Sequence, residues 1–132
     1  MTRHRSRFRV PFDETDPGGA LFFGHLFRHA HQAYEGFLEA MGLSLTTLIE
    51  EGIALPLVRA EADYHRPMKL GDTIEVELRV KSVGDRSFAL DYAFLREGTR
   101  CATATTVHAA VERATGRSRP LPTRLREELS KR

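Results

Sequence analysis

The stretch TIEVELRVKSVGDRSFALDYAFLR, residues 73–96, alternates apolar and polar side chains in two runs that a short turn separates. Alternation with a period of two is typical of a β-strand that has one buried face. The apolar side of the two runs consists of Ile74, Val76, Leu78 and Val80, followed by Phe88, Leu90, Tyr92 and Phe94. The turn VGDR between the runs predicts an antiparallel hairpin. The sequence therefore predicts a sheet with an apolar face that another element must cover.

The element that can cover this face is a long helix predicted over residues 23–41. Its apolar residues recur at helical spacing and form one broad face. They are Leu26, Phe27, Ala30, Ala33, Tyr34, Phe37, Leu38 and Met41. Gly42 stands where a C-terminal cap belongs. A helix of this kind laid on the sheet buries both apolar faces.

Shorter elements are predicted on either side of these two. They are a first strand in FRVPF (8–12), a short helix in SLTTLIEEG (44–52), strands in ALPLVRAEADYHRP (54–67) and RCATATTVHAAVER (100–113), and a last helix in PTRLREELSKR (122–132). Ser44 is the predicted N-cap of the short helix. The turns KLGD, VGDR and REGT predict that successive strands are antiparallel neighbours. The predicted fold class is α+β, an antiparallel sheet around one long helix, in a single domain over residues 1–132.

Composition narrows the class of protein. The chain has 132 residues, of which 41% are hydrophobic and 29% charged, as in ordinary globular proteins. A net charge of +2 does not indicate a nucleic-acid-binding protein. No apolar run approaches the ~20 residues of a transmembrane helix, and no apolar segment follows the basic N-terminus as in a secretory signal. One cysteine, Cys101, excludes an internal disulfide and a CxxC site. We therefore expect a cytoplasmic protein that binds neither nucleic acid nor a membrane.

The segment FDETDPGGALFFGH, residues 12–25, carries the candidate chemistry. Asp16 precedes a proline and is pushed toward an extended backbone, and the following Gly-Gly pair permits a sharp change of direction. The helix that starts next offers unpaired N–H groups and the positive end of its dipole. Asp16 is thus either a turn residue or a carboxylate directed at a ligand on the helix start. Asp13 and Glu14 are predicted to be solvated loop acids, with Glu14 acting on Asp16 as a nearby like charge.

Histidines on the long helix suggest a metal site as an alternative. His25 and His29 are spaced i, i+4, but HLFRH lacks the glutamate of the zinc-protease pattern. We therefore predict no metal site and place both histidines on the polar flank of the helix.

With these residues in view, the chain resembles the hotdog-fold acyl-CoA thioesterases, and among them the 4-hydroxybenzoyl-CoA thioesterase group. The resemblance rests on a first strand followed by ETDPGGALFF, on YHRPMKLGD, and on the strands after it. Within that group the chain is most similar to the 1,4-dihydroxy-2-naphthoyl-CoA hydrolases, in DPGGALFF, HQAYEGFLEAMGL and ALPLVRAEADYHRPMKLGD. Phe23 stands where the thioesterases associated with the Tol-Pal system often carry histidine, which favours the aromatic-acyl branches. Gln32 departs from the glutamate common in the naphthoyl branch.

The resemblance implies a catalytic role for Asp16. Its carboxylate would attack the thioester carbon to give a mixed anhydride, or act as a general base on water, and both routes stay open. The backbone N–H of Phe23, together with that of Gly24, would hold the thioester oxygen.

The resemblance also implies where the substrate binds. Arg86 and Ser87, in VGDRSF, would contact the coenzyme A phosphates. His25 is a candidate hydrogen-bond partner of the substrate, and Tyr64 a candidate for the acyl pocket. No cofactor is implied, because coenzyme A is part of the substrate. The active unit would be a homodimer whose sheets pair edge to edge with the site at the subunit boundary, and two dimers would form a tetramer.

The predicted function is hydrolysis of an aromatic acyl-CoA, such as 1,4-dihydroxy-2-naphthoyl-CoA or 4-hydroxybenzoyl-CoA, to the free acid and coenzyme A. The alternatives are a thioesterase for broad or short-chain acyl-CoA, a non-catalytic module that binds acyl-CoA or an acyl carrier protein, and a hotdog dehydratase. Turnover of a thioester panel separates the first two from the binding module, and a hydroxyacyl-CoA tests the dehydratase.

Overall fold

The computed structural model describes residues 3–131. The strands are β1 (Arg3–Arg9), β2 (Ile53–Ala54), β3 (Leu57–Tyr64), β4 (Thr73–Val83), β5 (Ser87–Arg96), β6 (Thr99–Ala109) and β7 (Val111–Glu112). The helices are α1 (Leu26–Ala40), α2 (Leu45–Glu50) and α3 (Thr123–Leu129), with single 3-10 turns at Phe12–Glu14 and Phe23–His25. The predicted domain, residues 1–132, includes Met1, Thr2 and Arg132, which lie outside the described residues.

Five strands form one antiparallel sheet in the order β1-β4-β5-β6-β3. The predicted hairpin is β4–β5, and its apolar side is buried as the alternation indicates. Helix α1 lies on that side and contributes Leu26, Tyr34, Phe37 and Leu38 to the core. The α+β class, with one long helix against an antiparallel sheet, is therefore confirmed.

The position of β3 differs from the prediction. KLGD does not close a hairpin between β3 and β4, because β3 pairs with β6 at the far edge of the sheet. The chain crosses between them through residues 65–72, where the N–H groups of His65 and Arg66 donate to the carbonyl of Cys101. Met68 is buried in this crossing. The alternation of apolar and polar residues predicts which residues form a strand, but it does not predict which other strand pairs with that strand.

The burial of β3 also departs from the pattern of the other long strands. Seven of its eight residues are exposed, and only Ala62 is partly buried. Two apolar side chains, Leu57 and Val58, remain 48% and 59% exposed. An exposed edge strand with apolar side chains is a surface on which another strand can pair.

The first strand covers Arg3–Arg9 and not residues 8–12 as predicted. Its arginines alternate onto the outer face of the sheet, where Arg5 forms ion pairs with Glu75 at 3.5 Å and Glu77 at 3.2 Å. A segment with few apolar residues thus forms a strand by pairing with β4 along its whole length, and opposite charges on the two strands support the pairing.

The predicted short helices are present. Ser44 caps α2, since its Oγ accepts the N–H of Thr47 at 3.2 Å. Helix α3 covers the inner part of the predicted last helix and buries Leu125 and Leu129. No helix within residues 3–131 has both the length and the apolar character that crossing a membrane requires.

A buried polar cluster lies under α1. The His108 ring stacks on Tyr34 at 4.2 Å between centroids, and its Nε2 lies 3.2 Å from Thr106 Oγ1. Thr106 Oγ1 also lies 3.0 Å from the hydroxyl of Tyr92. Burial lowers the pKa of His108 to about 4.

Candidate active site

Residues 14–22 form a small hairpin that carries Asp16. The N–H of Asp16 donates to the carbonyl of Ala20 at 2.8 Å, and that of Phe22 donates to the carbonyl of Glu14 at 2.9 Å. Gly19 adopts a φ of 82°, a conformation that favours glycine. The DPGG sequence thus makes the chain turn back on itself directly before the helix.

The two carboxylate oxygens of Asp16 have different surroundings. Oδ1 accepts hydrogen bonds from the N–H of Gly18 at 2.9 Å and of Ala20 at 3.1 Å. Oδ2 accepts no hydrogen bond from residues 3–131, and the side chain is partly buried. Oδ1 therefore makes the hydrogen bonds that are typical of an aspartate in a turn. These bonds hold the carboxylate in one orientation and so fix the direction in which Oδ2 points. The two interpretations of Asp16 from sequence are compatible, because they apply to different atoms.

The turn after β3 holds this hairpin in place. The N–H of Leu21 donates to the carbonyl of Met68 at 2.7 Å, and that of Leu70 donates to the carbonyl of Gly19 at 3.0 Å. Asp72 closes the turn, since its Oδ2 accepts the N–H of Lys69 at 2.8 Å and Arg96 Nη1 at 3.0 Å. These hydrogen bonds, the backbone one first, lower the pKa of Asp72. The segments TDPGG and RPMKLGD are therefore in direct backbone contact.

The helix start presents two free amide donors. A 3-10 turn over Phe23–His25 precedes α1, and the N–H of His25 donates to the carbonyl of Phe22. The N–H groups of Phe23 and Gly24 donate to no group among residues 3–131. Both residues are exposed, so a ligand can approach these donors. Two adjacent unpaired N–H groups are the kind of donor that can hold a developing negative charge on a carbonyl oxygen.

Tyr64 contacts the helix start directly. Its hydroxyl donates to the carbonyl oxygen of Phe23 at 2.7 Å, and partial burial raises the pKa of this phenol. The carbonyl of Phe23 and the N–H of Gly24 belong to one planar peptide group. The same carbonyl also accepts the N–H of Leu26, so Tyr64 and the helix backbone together orient this peptide group. The predicted pocket role of Tyr64 did not include this contact.

Glu14 and His29 are placed wrongly by the sequence interpretation. Glu14 is not a solvated acid, since it is only 5% exposed, and its Oε1 lies 2.6 Å from His29 Nε2. His29 is buried and not on the polar flank of the helix. His25 is partly buried, with its ring edge-on to Phe22. Within residues 3–131 no three or more His, Cys, Asp and Glu side chains are grouped to hold a metal ion.

Arg86 and Ser87 lie at the other end of the molecule from Asp16. The hairpin sits beside the first residues of β4, whereas Arg86 follows its last residues, and the 11-residue strand spans roughly 35 Å. Arg86 is exposed and donates to Ser118 Oγ at 3.2 Å. The structure brings Asp16, Phe23, Gly24, His25 and Tyr64 to one end, and one chain alone does not bring Arg86 or Ser87 to them.

Two cavities lie at these two ends. A groove of about 220 Å³ borders the hairpin and is lined by Leu21, Tyr64, His65, Arg66, Pro67 and Met68. A mainly apolar cavity of about 340 Å³ lies at the opposite end and is lined by His31, Tyr34, Leu45, Ile49, Ile53, Ala54, Leu55, Pro56 and Val111.

The chain belongs to the thioesterase-like superfamily, whose family model matches residues 10–129. This membership, with the relatives below, confirms the predicted hotdog fold and the predicted class of enzyme, a thioester hydrolase.

Among its relatives, a 1,4-dihydroxy-2-naphthoyl-CoA hydrolase of Synechococcus elongatus is 36% identical over 122 residues, which are 91% of this chain and 90% of that protein. A 1,4-dihydroxy-2-naphthoyl-CoA hydrolase of Microcystis aeruginosa is 31% identical over 117 residues, 88% of this chain and 85% of that protein. The crystal structure of a 1,4-dihydroxy-2-naphthoyl-CoA thioesterase from Synechocystis superposes with a TM-score of 0.89 at 28% identity, and covers 96% of this chain and 95% of that one.

Proposed function

We propose that the protein hydrolyses an aromatic acyl-CoA thioester, with 1,4-dihydroxy-2-naphthoyl-CoA as the first candidate, to the free acid and coenzyme A. The proposal is carried by one arrangement, a carboxylate with one fixed and one free oxygen in the hairpin that leads into two free amide donors. The names of the relatives support the aromatic acyl group.

The chemistry follows from these atoms. The N–H groups of Phe23 and Gly24 hold the thioester oxygen and stabilise the negative charge that develops there, each donor contributing ~3 kcal/mol. Oδ2 of Asp16 then attacks the carbonyl carbon, the C–S bond breaks, and coenzyme A leaves as the thiolate. Water hydrolyses the resulting mixed anhydride and regenerates the carboxylate. In the alternative route the carboxylate takes a proton from a water that attacks the carbon directly.

A second copy of the chain completes the site in this proposal. The free edge of β3 exposes its backbone and the side chains of Leu57, Val58 and Tyr64. Two such edges can pair antiparallel and extend the sheet across both copies. The β3 strand of a second copy suits this edge because, when two β3 strands run antiparallel, their positive and negative side chains can face each other.

The register of this pairing follows from the charges. Residues opposite each other in an antiparallel pair point to the same face. A register centred on Ala60 places Arg59 of each copy opposite Glu61 of the other, so opposite charges meet twice. The same register places Tyr64 opposite Pro56 of the second copy. The helix start of one copy then lies beside the Pro56 end of the other.

That end of the second copy supplies what one chain lacks. Pro56 lines the apolar cavity of about 340 Å³, a volume within the usual ~300–1,000 Å³ of small-molecule sites. The carbonyl of Pro56 accepts the N–H of Ala109, which lies opposite Ser87. Ser87 and Arg86 are therefore two strands away from the boundary, about 10 Å. We assign the cavity to the aromatic acyl group and Arg86 with Ser87 to the coenzyme A phosphates.

The remaining parts of the proposal concern assembly and location. Two such dimers would associate as a homotetramer in the cytoplasm. The proposed reaction uses no metal and no cofactor besides the coenzyme A of the substrate.

The test is thiol release from purified protein with 1,4-dihydroxy-2-naphthoyl-, 4-hydroxybenzoyl-, short-chain and long-chain acyl-CoA. We expect the highest kcat/KM with an aromatic acyl group, and loss of at least about 10³-fold in Asp16→Asn with the fold retained. Higher kcat/KM for straight-chain substrates would move the assignment to a broad thioesterase. Binding without turnover would identify a binding module, and normal turnover by Asp16→Asn would reject the role of Asp16.

A further inference from the structure

Glu14 is a buried carboxylate that the proposed chemistry does not use. It lies two residues before Asp16, and its side chain is 7% exposed. A buried acid costs free energy unless it is paired, so the partners of Glu14 indicate what it does.

The backbone of Glu14 belongs to the catalytic hairpin. Its carbonyl accepts the N–H of Phe22 at 2.9 Å, and its N–H donates to the carbonyl of Pro11 at 3.2 Å. Phe22 immediately precedes Phe23, the first free donor. Glu14 therefore lies opposite Phe22 in the hairpin, on the arm that leads to Asp16.

The side chain of Glu14 joins this arm to α1. Oε1 lies 2.6 Å from His29 Nε2, and Oε2 lies 3.4 Å from Arg28 Nη1. The His29 ring is stacked on Phe8 of β1, with 3.6 Å between centroids and 5° between planes. The ring is thus held by the sheet on one face while its edge holds the carboxylate.

No other hydrogen bond within residues 3–131 competes with Glu14 for the His29 ring. His29 Nδ1 is buried and has no hydrogen-bond partner among residues 3–131. The contact with Glu14 is therefore the polar link that orients this ring.

We propose that Glu14 is a positioning residue of the thioesterase, which acts through His29. The pair holds the hairpin at a set position on α1, so that Asp16 Oδ2 and the N–H groups of Phe23 and Gly24 face the same thioester. This inference rests on the proposed function. A displacement of about 1 Å in such a site can cost 10²-fold in rate, so a lost anchor should lower kcat more than substrate affinity.

The experiment compares Glu14→Ala, Glu14→Gln, His29→Ala and the double variant Glu14→Ala/His29→Ala by steady-state kinetics on the full chain. The glutamine keeps an acceptor for His29 and is the conservative rescue. Tyr92→Phe is the matched control, since it removes another buried hydrogen bond, 3.0 Å to Thr106 Oγ1, elsewhere in the sheet. Each kcat is normalised to the fraction of folded protein, which circular dichroism measures.

We expect Glu14→Ala to lower kcat about 30- to 100-fold with KM within about twofold, and Glu14→Gln to stay within about threefold of wild type. The double variant should be no slower than the worse single variant, because residues that act through each other are not additive. Tyr92→Phe should keep its kcat. A kcat for Glu14→Ala within threefold of wild type, or additive losses in the double variant, overturns the inference. Should Glu14→Ala fail to fold, Glu14→Asp replaces it, with at least a tenfold loss of kcat expected.

A second measurement does not depend on turnover. In ¹⁵N-labelled protein, hydrogen exchange of the Phe22 N–H should accelerate at least tenfold in Glu14→Ala and stay unchanged in Tyr92→Phe. Unchanged exchange in Glu14→Ala overturns the positioning role even if the wild type is active. If the wild type releases no thiol, the proposed function fails, while this exchange rate still decides whether Glu14 anchors the hairpin.

Discussion

The hydroxyl of Tyr64 donates a 2.7 Å hydrogen bond to the carbonyl oxygen of Phe23, across 41 residues of sequence. It connects the edge strand β3 to the peptide group that presents the Gly24 N–H. The strand that we propose as the subunit boundary is therefore hydrogen-bonded to the peptide group that carries one of the proposed oxyanion donors.

Tyr64→Phe tests this connection. Loss of one neutral hydrogen bond is worth about 1 kcal/mol, so we expect kcat to fall about fivefold to tenfold while the dimer persists. Steady-state kinetics and sedimentation velocity on the same sample measure both quantities. An unchanged kcat in the dimeric variant would show that the Phe23–Gly24 peptide is oriented without Tyr64.

Gly18→Ala tests the fixed direction of the Asp16 carboxylate. A Cβ at residue 18 would lie 3.3 Å from Asp16 Oδ1, and the carboxylate must shift by a few tenths of an ångström. We expect kcat to fall about tenfold or more, because near-attack geometry tolerates little displacement.

Gly36→Ala is the control for this change. Its Cβ would meet only the tip of the His4 side chain at 3.1 Å, and alanine favours the helix. We expect wild-type kcat for Gly36→Ala. Equal kcat values for both alanine variants would contradict a fixed direction of Asp16.

A charge exchange tests the register of β3. In a register centred on Ala60, Arg59→Glu places like charges opposite each other twice. We therefore expect the dissociation constant of the dimer to increase at least about tenfold. The double variant Arg59→Glu/Glu61→Arg restores opposite charges and should restore the dimer. Sedimentation equilibrium measures both. Weak dimerisation in the double variant would point to another register.

The pH dependence of stability tests the burial of His108. Burial lowers its pKa to about 4, from 6.5, so between these values the unfolded chain binds a proton that the folded chain does not. The free energy of unfolding therefore has its full contribution from His108 above pH 6.5. It decreases by about 3 kcal/mol as the pH falls toward 4.

His108→Gln provides the comparison for this slope. Urea unfolding of both proteins between pH 7 and pH 4 should give a flatter dependence in the variant. Parallel curves would mean that His108 gains a proton in the folded state over this range.

Several parts of the fold were predictable because their signals are local. The alternation in β4 and β5 and the 3.6-residue period of α1 both report which side of an element is buried. The Ser44 cap is formed within three residues. The DPGG turn likewise depends on neighbours, so its position before the helix could be read from the order of residues.

The order of the strands and the pairing of buried groups could not be read in the same way. The neighbour of β3 is β6, which follows two other strands of the same sheet. Glu14 and His29 are 15 residues apart and each looks like a surface residue in its own segment. No local pattern marks such a pair, because burial of each group depends on the other.

The sequence by itself determined the β4–β5 hairpin, the long helix α1, the buried faces of these elements and the segment that carries Asp16, because hydrophobic periodicity and turn chemistry act over a few residues. Only the tertiary structure decided that one carboxylate oxygen of Asp16 has no hydrogen-bond donor among residues 3–131, that Tyr64 contacts the helix start, and that Arg86 lies far from Asp16. Those relationships arise when distant elements pack, since the distance and direction between two side chains are properties of the assembled layers and not of either segment.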